Sequence, residues 1–264
     1  MNNVFLKLEL KRAFCNFYFA AAVLIGCVLT ISDFYQNIYP SLWMNYMPVI
    51  KEFPISLYSS TIGLHAQSLQ QNLLFLMAPL LGALPFADSY YTDKRGYIKQ
   101  LYSRGTRKQY LSAKCIAVFL SGGTAFVLPQ IANLLLAAMY LPALRPEPST
   151  KMFAPARDTN PLAGLYIEHP LLYLALYLII GFIIVGLFAN ISNTAALFLK
   201  SRLAVMLFPF ILYMIMYIFC SLLRINGYNP YDILLPTQLT PSSVAAQILI
   251  PVILAAGGIL PLSF

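Results

Sequence analysis

Charge is what this chain has least of. Only 10% of its 264 residues are charged, against 59% hydrophobic, whereas a soluble globular domain carries about 25% charged residues. So few charges cannot cover a surface that faces water, and the mean hydropathy of +0.72 agrees. An integral membrane protein is expected. Catalytic signatures are missing as well. There is no HExxH and no GxSxG, so metal-assisted and serine-nucleophile hydrolysis have no motif behind them, and no enzyme activity is expected of the chain itself. No P-loop pattern (GxxxxGKS or GxxxxGKT) occurs, so nothing here would cradle a nucleotide phosphate. The four cysteines, Cys15, Cys27, Cys115 and Cys220, form no CxxC pair. That argues against a disulfide framework or a zinc site and reads them as small buried hydrophobes. His65 and His169 stand alone in loops, and no metal site is expected at either.

What is present is a series of apolar runs at 14–31, 71–87, 110–140, 170–199, 203–223 and 244–264. They are continuous rather than alternating, so helices are expected and a barrel is not. The fold class is all-α: a polytopic, six-span helical membrane protein forming one transmembrane domain. Before the first run, Lys7, Glu9, Lys11 and Arg12 accompany Leu6, Leu8 and Leu10 in local alternation. That pattern is strand-like, so an N-terminal interfacial helix rests on location rather than on periodicity. No small-x-small cleavage site follows, and span one is read as uncleaved. Pro79 and Pro85 should bend span two, which is tolerated where neighbours or water satisfy the freed carbonyls. Thr106-Arg107-Lys108-Gln109 fits a capping box, which would start the third helix inside a basic loop. Ser121, Gly122 and Gly123 suit close helix packing. Residues 170–199 as one helix would be about 45 Å long and would have to tilt, bend or protrude. The segments 32–70, 141–169 and 224–243 are read as outer; 32–70 is long for a structureless connection and is expected to hold short surface helices.

A net charge of +8 would suggest nucleic acid in a soluble protein. Here the positive-inside bias accounts for it. With the N-terminus inside, inner segments hold three, seven and two basic residues, twelve in all, and outer segments hold five. The expectation is therefore a multi-pass cell-membrane protein with a cytoplasmic N-terminus and no nucleic-acid partner. No ionisable residue lies well inside any span as drawn, and no inverted repeat relates 1–130 to 131–264; both disfavour ion-coupled carriers. The polar residues within spans are Gln130, Asn133, Asn190, Asn193 and Gln247. They are candidates for interhelical hydrogen bonds, worth about 0.6 kcal/mol each on average, or for lining a translocation path.

The remaining feature is the basic stretch from Asp88 to Lys114, which carries seven of the seventeen Lys and Arg residues between two apolar runs. Within it Tyr97, Ile98, Leu101 and Tyr102 have the spacing that gathers them on one helical face. Flanked by Lys99 and Arg104, they would make an apolar knob suited to docking in a groove. The other reading sets the tyrosines at the headgroups and the bases on anionic membrane lipid.

The residues Ala87-Asp88-Ser89, Asp93, Gly96-Tyr97, Ser103-Arg104, Arg107-Lys108, Tyr110 and Lys114 resemble the pattern between spans two and three of type-2 ABC exporter permeases, the ABC-2 family. The likeness covers the whole chain in topology and about thirty residues in motif. The family often has Glu where Asp93 stands, and it usually continues past span six into a basic tail that this sequence lacks. What the resemblance implies is a cytoplasmic coupling helix between spans two and three, with Asp93, Gly96, Tyr97, Ile98, Leu101, Tyr102 and Arg104 coupling to an ATPase. The implied partners are ABC ATPase subunits and a second permease subunit, identical or similar. ATP and magnesium would sit on the ATPase, with no cofactor in this chain. A path at the permease interface, lined by spans one, two and five, would suit a hydrophobic or amphipathic substrate. The reading from another class is a non-transporting sensor or assembly component that binds a ligand or partner through its outer loops.

Overall fold

The computed structural model describes residues 3–40, 56–65, 68–96, 107–146, 160–237 and 244–263. Among the described residues there are helices and no strand. The chain opens with α1 (Asn3–Phe14) and α2 (Phe17–Asp33), then a π-helical turn at Phe34–Ile38. The short α3 (Leu57–Ser60) precedes α4 (Leu69–Leu76), α5 (Ala78–Ala83) and α6 (Ser89–Gly96). After the long α7 (Arg107–Ala138) come α8 (Ala163–Glu168), α9 (Pro170–Ala195), α10 (Arg202–Leu222), α11 (Pro230–Leu234) and α12 (Val244–Ser263). Among the described residues four stretches are long and apolar enough to cross a membrane: α2 with its π turn, α7, α9 and α10.

Several boundaries differ from the sequence expectation, each for a local reason. Span one does not begin at Phe14. The chain breaks at Cys15-Asn16, where the Asn16 side chain accepts from the Tyr18 N–H at 3.3 Å and starts α2 as its N-cap. Residues 3–14 are helical despite their alternating leucines, because Glu9 and Ala13, one turn apart, are fully buried in a helix packed on α7. Tertiary contact overrides the local pattern. Span four stops at Ala195 rather than Leu199, since a turn at 196–198 and an extended Ser201 intervene before α10. At 26 residues α9 is about 39 Å long.

The expected single helix at 71–87 is instead two short helices, α4 and α5, divided at Met77. Pro79 has no N–H to return to the Phe75 carbonyl. That oxygen accepts a backbone N–H at the end of α4 and also the Tyr213 hydroxyl of α10, at 3.2 Å. The same device recurs in α10. Pro209 cannot bond the Val205 carbonyl, and Ser192 of α9 donates to it at 2.5 Å. In both places a neighbouring hydroxyl donates to a carbonyl that a proline cannot serve.

The middle of the bundle is a core of Leu74, Phe75, Phe126, Ile184, Phe188 and Tyr213 with their neighbours. Helix α9 is its axis, packed against α7, α12, α5 and α10. The approach of α5, α7 and α9 depends on small residues: a methyl group added at Gly122 would lie 2.7 Å from both Ala189 Cβ and the Gly82 carbonyl oxygen. Connecting segments cover one end of the bundle. There Asn160 donates to the hydroxyls of Tyr173 and Tyr177, and Tyr173 bonds the Pro236 carbonyl.

Candidate functional site

The opposite end of the bundle carries a buried charge cluster assembled from three helices. Its centre is Asp93 on α6, a carboxylate only 3% exposed. From α1, Arg12 grips it with both guanidinium nitrogens, at 2.9 and 3.4 Å, and also bonds Glu9 at 2.9 Å. From α7, the Tyr110 hydroxyl donates to Asp93 at 2.6 Å. The Lys114 ammonium pairs with the same carboxylate and donates to Tyr110 at 2.5 Å. Tyr110 and Lys114 are one helical turn apart, so both face the cluster. Glu9 completes it, with one oxygen 3.9 Å from the Lys114 nitrogen. The Phe86 ring lies beneath both cations, 5.6 Å from the Arg12 guanidinium and 5.7 Å from the Lys114 ammonium. The four charges cancel, which is the condition for holding them away from water.

The two carboxylates experience this site differently. Burial raises the Glu9 carboxyl above its ordinary 4.5, and Lys114 and Arg12 only partly reverse that. Burial also works on Asp93, but the Arg12 hydrogen bonds, the Lys114 charge and the Lys114 and Tyr110 hydrogen bonds together outweigh it and hold Asp93 below 3.8. Asp93 is thus the firm anion of the pair.

Helix α6 is also tied on its other sides. The Tyr91 hydroxyl donates to the Lys200 carbonyl at 2.7 Å, and Lys94 donates to the Leu197 carbonyl at 3.3 Å, both in the turn between α9 and α10. Asp88, just before α6, accepts from Arg202 of α10 at 2.5 Å. A cavity of about 260 Å³ opens beside the cluster, lined by Arg12, Asn16, Asp88, Ser89, Thr92 and Arg202 among others.

Of the seven residues expected to couple, Asp93 is central to this cluster. Gly96 ends α6, with nothing among the described residues within 4 Å of an added methyl. Tyr97, Ile98, Leu101, Tyr102 and Arg104 lie outside the described residues, as does the Thr106 of the expected cap, although α7 begins at Arg107 where that cap would start it. Three residues quoted for the family pattern, Asp93, Tyr110 and Lys114, meet in space. Glu9 and Arg12 were missed as partners. The available signal was a lone acid, three residues before an arginine, in an otherwise basic segment.

No ionisable residue is expected well inside a span, and the buried ones lie near span ends. Lys114, eight residues into α7, is fully buried, and so is Asp33 at the end of α2. Lys114 is tolerated because its counter-charges arrive from helices flanking the spans. The five polar span residues, Gln130, Asn133, Asn190, Asn193 and Gln247, are all wholly or partly buried. The interhelical bonds expected of them are not made by Gln130 Nε2, Asn133 Oδ1, Asn190 Oδ1, either amide atom of Asn193 or Gln247 Nε2, which find no partner among the described residues.

A second polar cluster lies at the far end of α2. Asp33 accepts from Asn37 at 2.8 Å, from Ser68 at 2.5 Å and from Gln71 at 2.6 Å. Gln71 also donates to the Ser60 carbonyl at 3.1 Å. These donors are neutral, so this buried carboxylate, unlike Asp93, meets no cation among the described residues.

Compared with family models, with curated proteins and with solved structures, the chain matches none of them.

Proposed function

We propose that this chain is the membrane-spanning permease subunit of an ATP-driven exporter of the ABC-2 kind, crossing the membrane six times when the broken α4–α5 element and α12 are counted. The observation that carries the reading is the clamp on α6. This helix leads directly into the basic segment at 97–106, and it is fastened to α1, to α7 and to the turn between α9 and α10. A push delivered at Tyr97–Tyr102 by a partner ATPase would therefore move α6 and three further elements together. That is the rigid connection a two-state switch of the spans needs. ATP and magnesium belong to the partner.

The distribution of burial supports pairing with a second permease subunit. Only 28% of the α2 window and 22% of the α10 window are buried, against 50% for α7 and α9. Helices α2 and α10 are spans one and five, two of the three spans expected to line the path. An apolar groove of about 420 Å³ between α9, α10 and α12, lined by Phe198, Phe208, Leu212, Met216 and Leu254 among others, suits a hydrophobic or amphipathic substrate.

The test is purification of the tagged chain from native membranes. A P-loop ATPase should accompany it, and Tyr97→Glu with Leu101→Glu should release that ATPase while the chain still folds. An ATPase that never co-purifies, or one that stays bound to the doubly charged variant, defeats the proposal.

A further inference from the structure

The cavity of about 260 Å³ beside the charge cluster is walled by donors that the fold leaves unspent. Ser89, on its wall, is 3% exposed, and its hydroxyl has no partner among the described residues. A buried hydroxyl of this kind costs stability unless something in the site pairs it. Arg12 commits Nη1 and Nη2 to Glu9 and Asp93, and its Nε–H has no acceptor among the described residues. Arg202 donates to Asp88 through Nε at 2.5 Å and also bonds Tyr18, whose ring lies 4.8 Å from the guanidinium. A guanidinium presents five N–H groups in a fixed fork, so N–H groups of Arg202 remain for a further acceptor. Both side chains are part-exposed, 36% for Arg12 and 42% for Arg202. The helix ends add to this. Asn16 caps α2, and α10 opens at Arg202 with no side-chain bond from its N-cap, Ser201. Two positive helix ends therefore meet at one cavity.

The wall is not simply basic. Asp88 stands on it, paired with Arg202, and across the linked groups Arg12, Lys114 and Arg202 balance Glu9, Asp88 and Asp93. Selection therefore rests on converging donors rather than on net charge, and it favours an acceptor-rich group of low charge. A phosphodiester is such a group: it bears a single negative charge, and its free oxygens accept from guanidinium forks. The position suits a lipid. Asn16 and Arg202 are followed by Phe17 and Leu203, 79% and 65% exposed, in the first turns of α2 and α10, the two candidate spans buried least. An acyl chain leaving the cavity meets apolar side chains along both.

We infer that Arg12, Ser89 and Arg202 form a phosphate-binding site, placed to hold the phosphodiester headgroup of a membrane lipid between the starts of α2 and α10. The phosphate supplies the acceptor that the Ser89 hydroxyl lacks and takes the unspent N–H groups of both arginines. The inference does not rest on the exporter reading, since it needs neither an ATPase nor a second permease subunit.

Cys15, exposed and on the same wall, reports occupancy directly. The purified full chain, with Cys27, Cys115 and Cys220 replaced by alanine, is labelled with a maleimide in mixed micelles of rising dioleoylphosphatidylglycerol content. Labelling of Cys15 should slow saturably. Dioleoylglycerol, with the same chains and no phosphate, should not slow it. Inorganic phosphate at constant ionic strength forms the second arm. Protection by the phospholipid alone assigns the site to a lipid headgroup, and protection by both assigns it to phosphate from either source. Ser89→Ala should raise the half-protecting lipid fraction about tenfold by removing one hydrogen bond to a charged group. It should not lower the thermal midpoint of the lipid-free chain, because the hydroxyl it removes is unpartnered. Arg202→Gln with Asp88→Asn keeps the charges balanced and should abolish protection. If that double variant does not fold, Arg202→Lys, which keeps the charge and loses the fork, should still weaken protection. The inference is overturned if neither phospholipid nor phosphate protects Cys15, if dioleoylglycerol protects equally, or if protection is unchanged in both Ser89→Ala and the Arg202 variants.

Discussion

Replacing Lys114 by Met tests whether the cluster around α6 behaves as one charge unit. The substitution keeps the length of an apolar side chain and removes the ammonium. With the Lys114 nitrogen 3.9 Å from Glu9 and an effective dielectric of about 20, the attraction lost is about 4 kcal/mol for that pair alone. The bonds to Asp93 and Tyr110 go with it, at about 1.5–3 kcal/mol for a charged hydrogen bond. Against this stands the desolvation of the buried lysine, several kcal/mol, which the variant no longer incurs. The net should match other broken buried pairs, a loss of about 3–5 kcal/mol. The sharper result comes from a second substitution. Lys114→Met leaves two carboxylates facing Arg12 alone, whereas adding Glu9→Gln returns the cluster to one anion and one cation. The double variant should therefore recover about 1–3 kcal/mol relative to Lys114→Met, a coupling typical of residues sharing one network. Reversible unfolding in mixed micelles, followed by far-UV circular dichroism, measures all four corners of the cycle. A loss below about 1 kcal/mol for Lys114→Met, or strict additivity of the pair, would refute the account of the cluster as a coupled unit.

Three further outcomes follow from the same geometry. Because Glu9 holds its proton above 4.5, the folded state binds more protons than the unfolded one just above that pH, so stability should fall as pH rises through this window. Thermal midpoints of Glu9→Gln should be flat there, and Asp93, held below 3.8, should contribute its own loss only at more acidic pH. Ser192→Ala orphans the Val205 carbonyl and should cost about 1–3 kcal/mol, a cost that shrinks in Pro209→Ala, where residue 209 regains an N–H; equal costs in both backgrounds would show that the hydroxyl is not serving that carbonyl. Gly122→Ala drives a methyl against Ala189 and the Gly82 carbonyl and should destabilise by about 1–3 kcal/mol, as its unfolding midpoint would reveal.

The sequence carried its helices openly, because continuous apolar runs have few alternatives. Arg107–Ala138 and Arg202–Leu222 begin and end within three residues of expectation. The break at Met77 was half legible: Pro79 predicted a bend, but the partner that makes a full break tolerable, Tyr213, lies 138 residues away and leaves no local trace. The charge cluster was hidden for the same reason. Lys114 looked like the basic residue that opens a span, and only packing shows that α1 and α6 bring Glu9, Arg12 and Asp93 to it. Asp33 reads as an ordinary end to an apolar run. Its neighbours at 68–71 sit beyond a long connection, and a single sequence gives no means of pairing the two.

The two proline gaps differ in when their donors exist. As the chain is synthesised, Ser192 is already present when Val205 and Pro209 emerge, so that gap closes with α9 as a waiting template. The carbonyl that Pro79 cannot serve has no such template. The hydroxyl that reaches the Phe75 carbonyl belongs to Tyr213, which is made only with α10. A contact in the first half of the molecule is thus supplied by a side chain of the second.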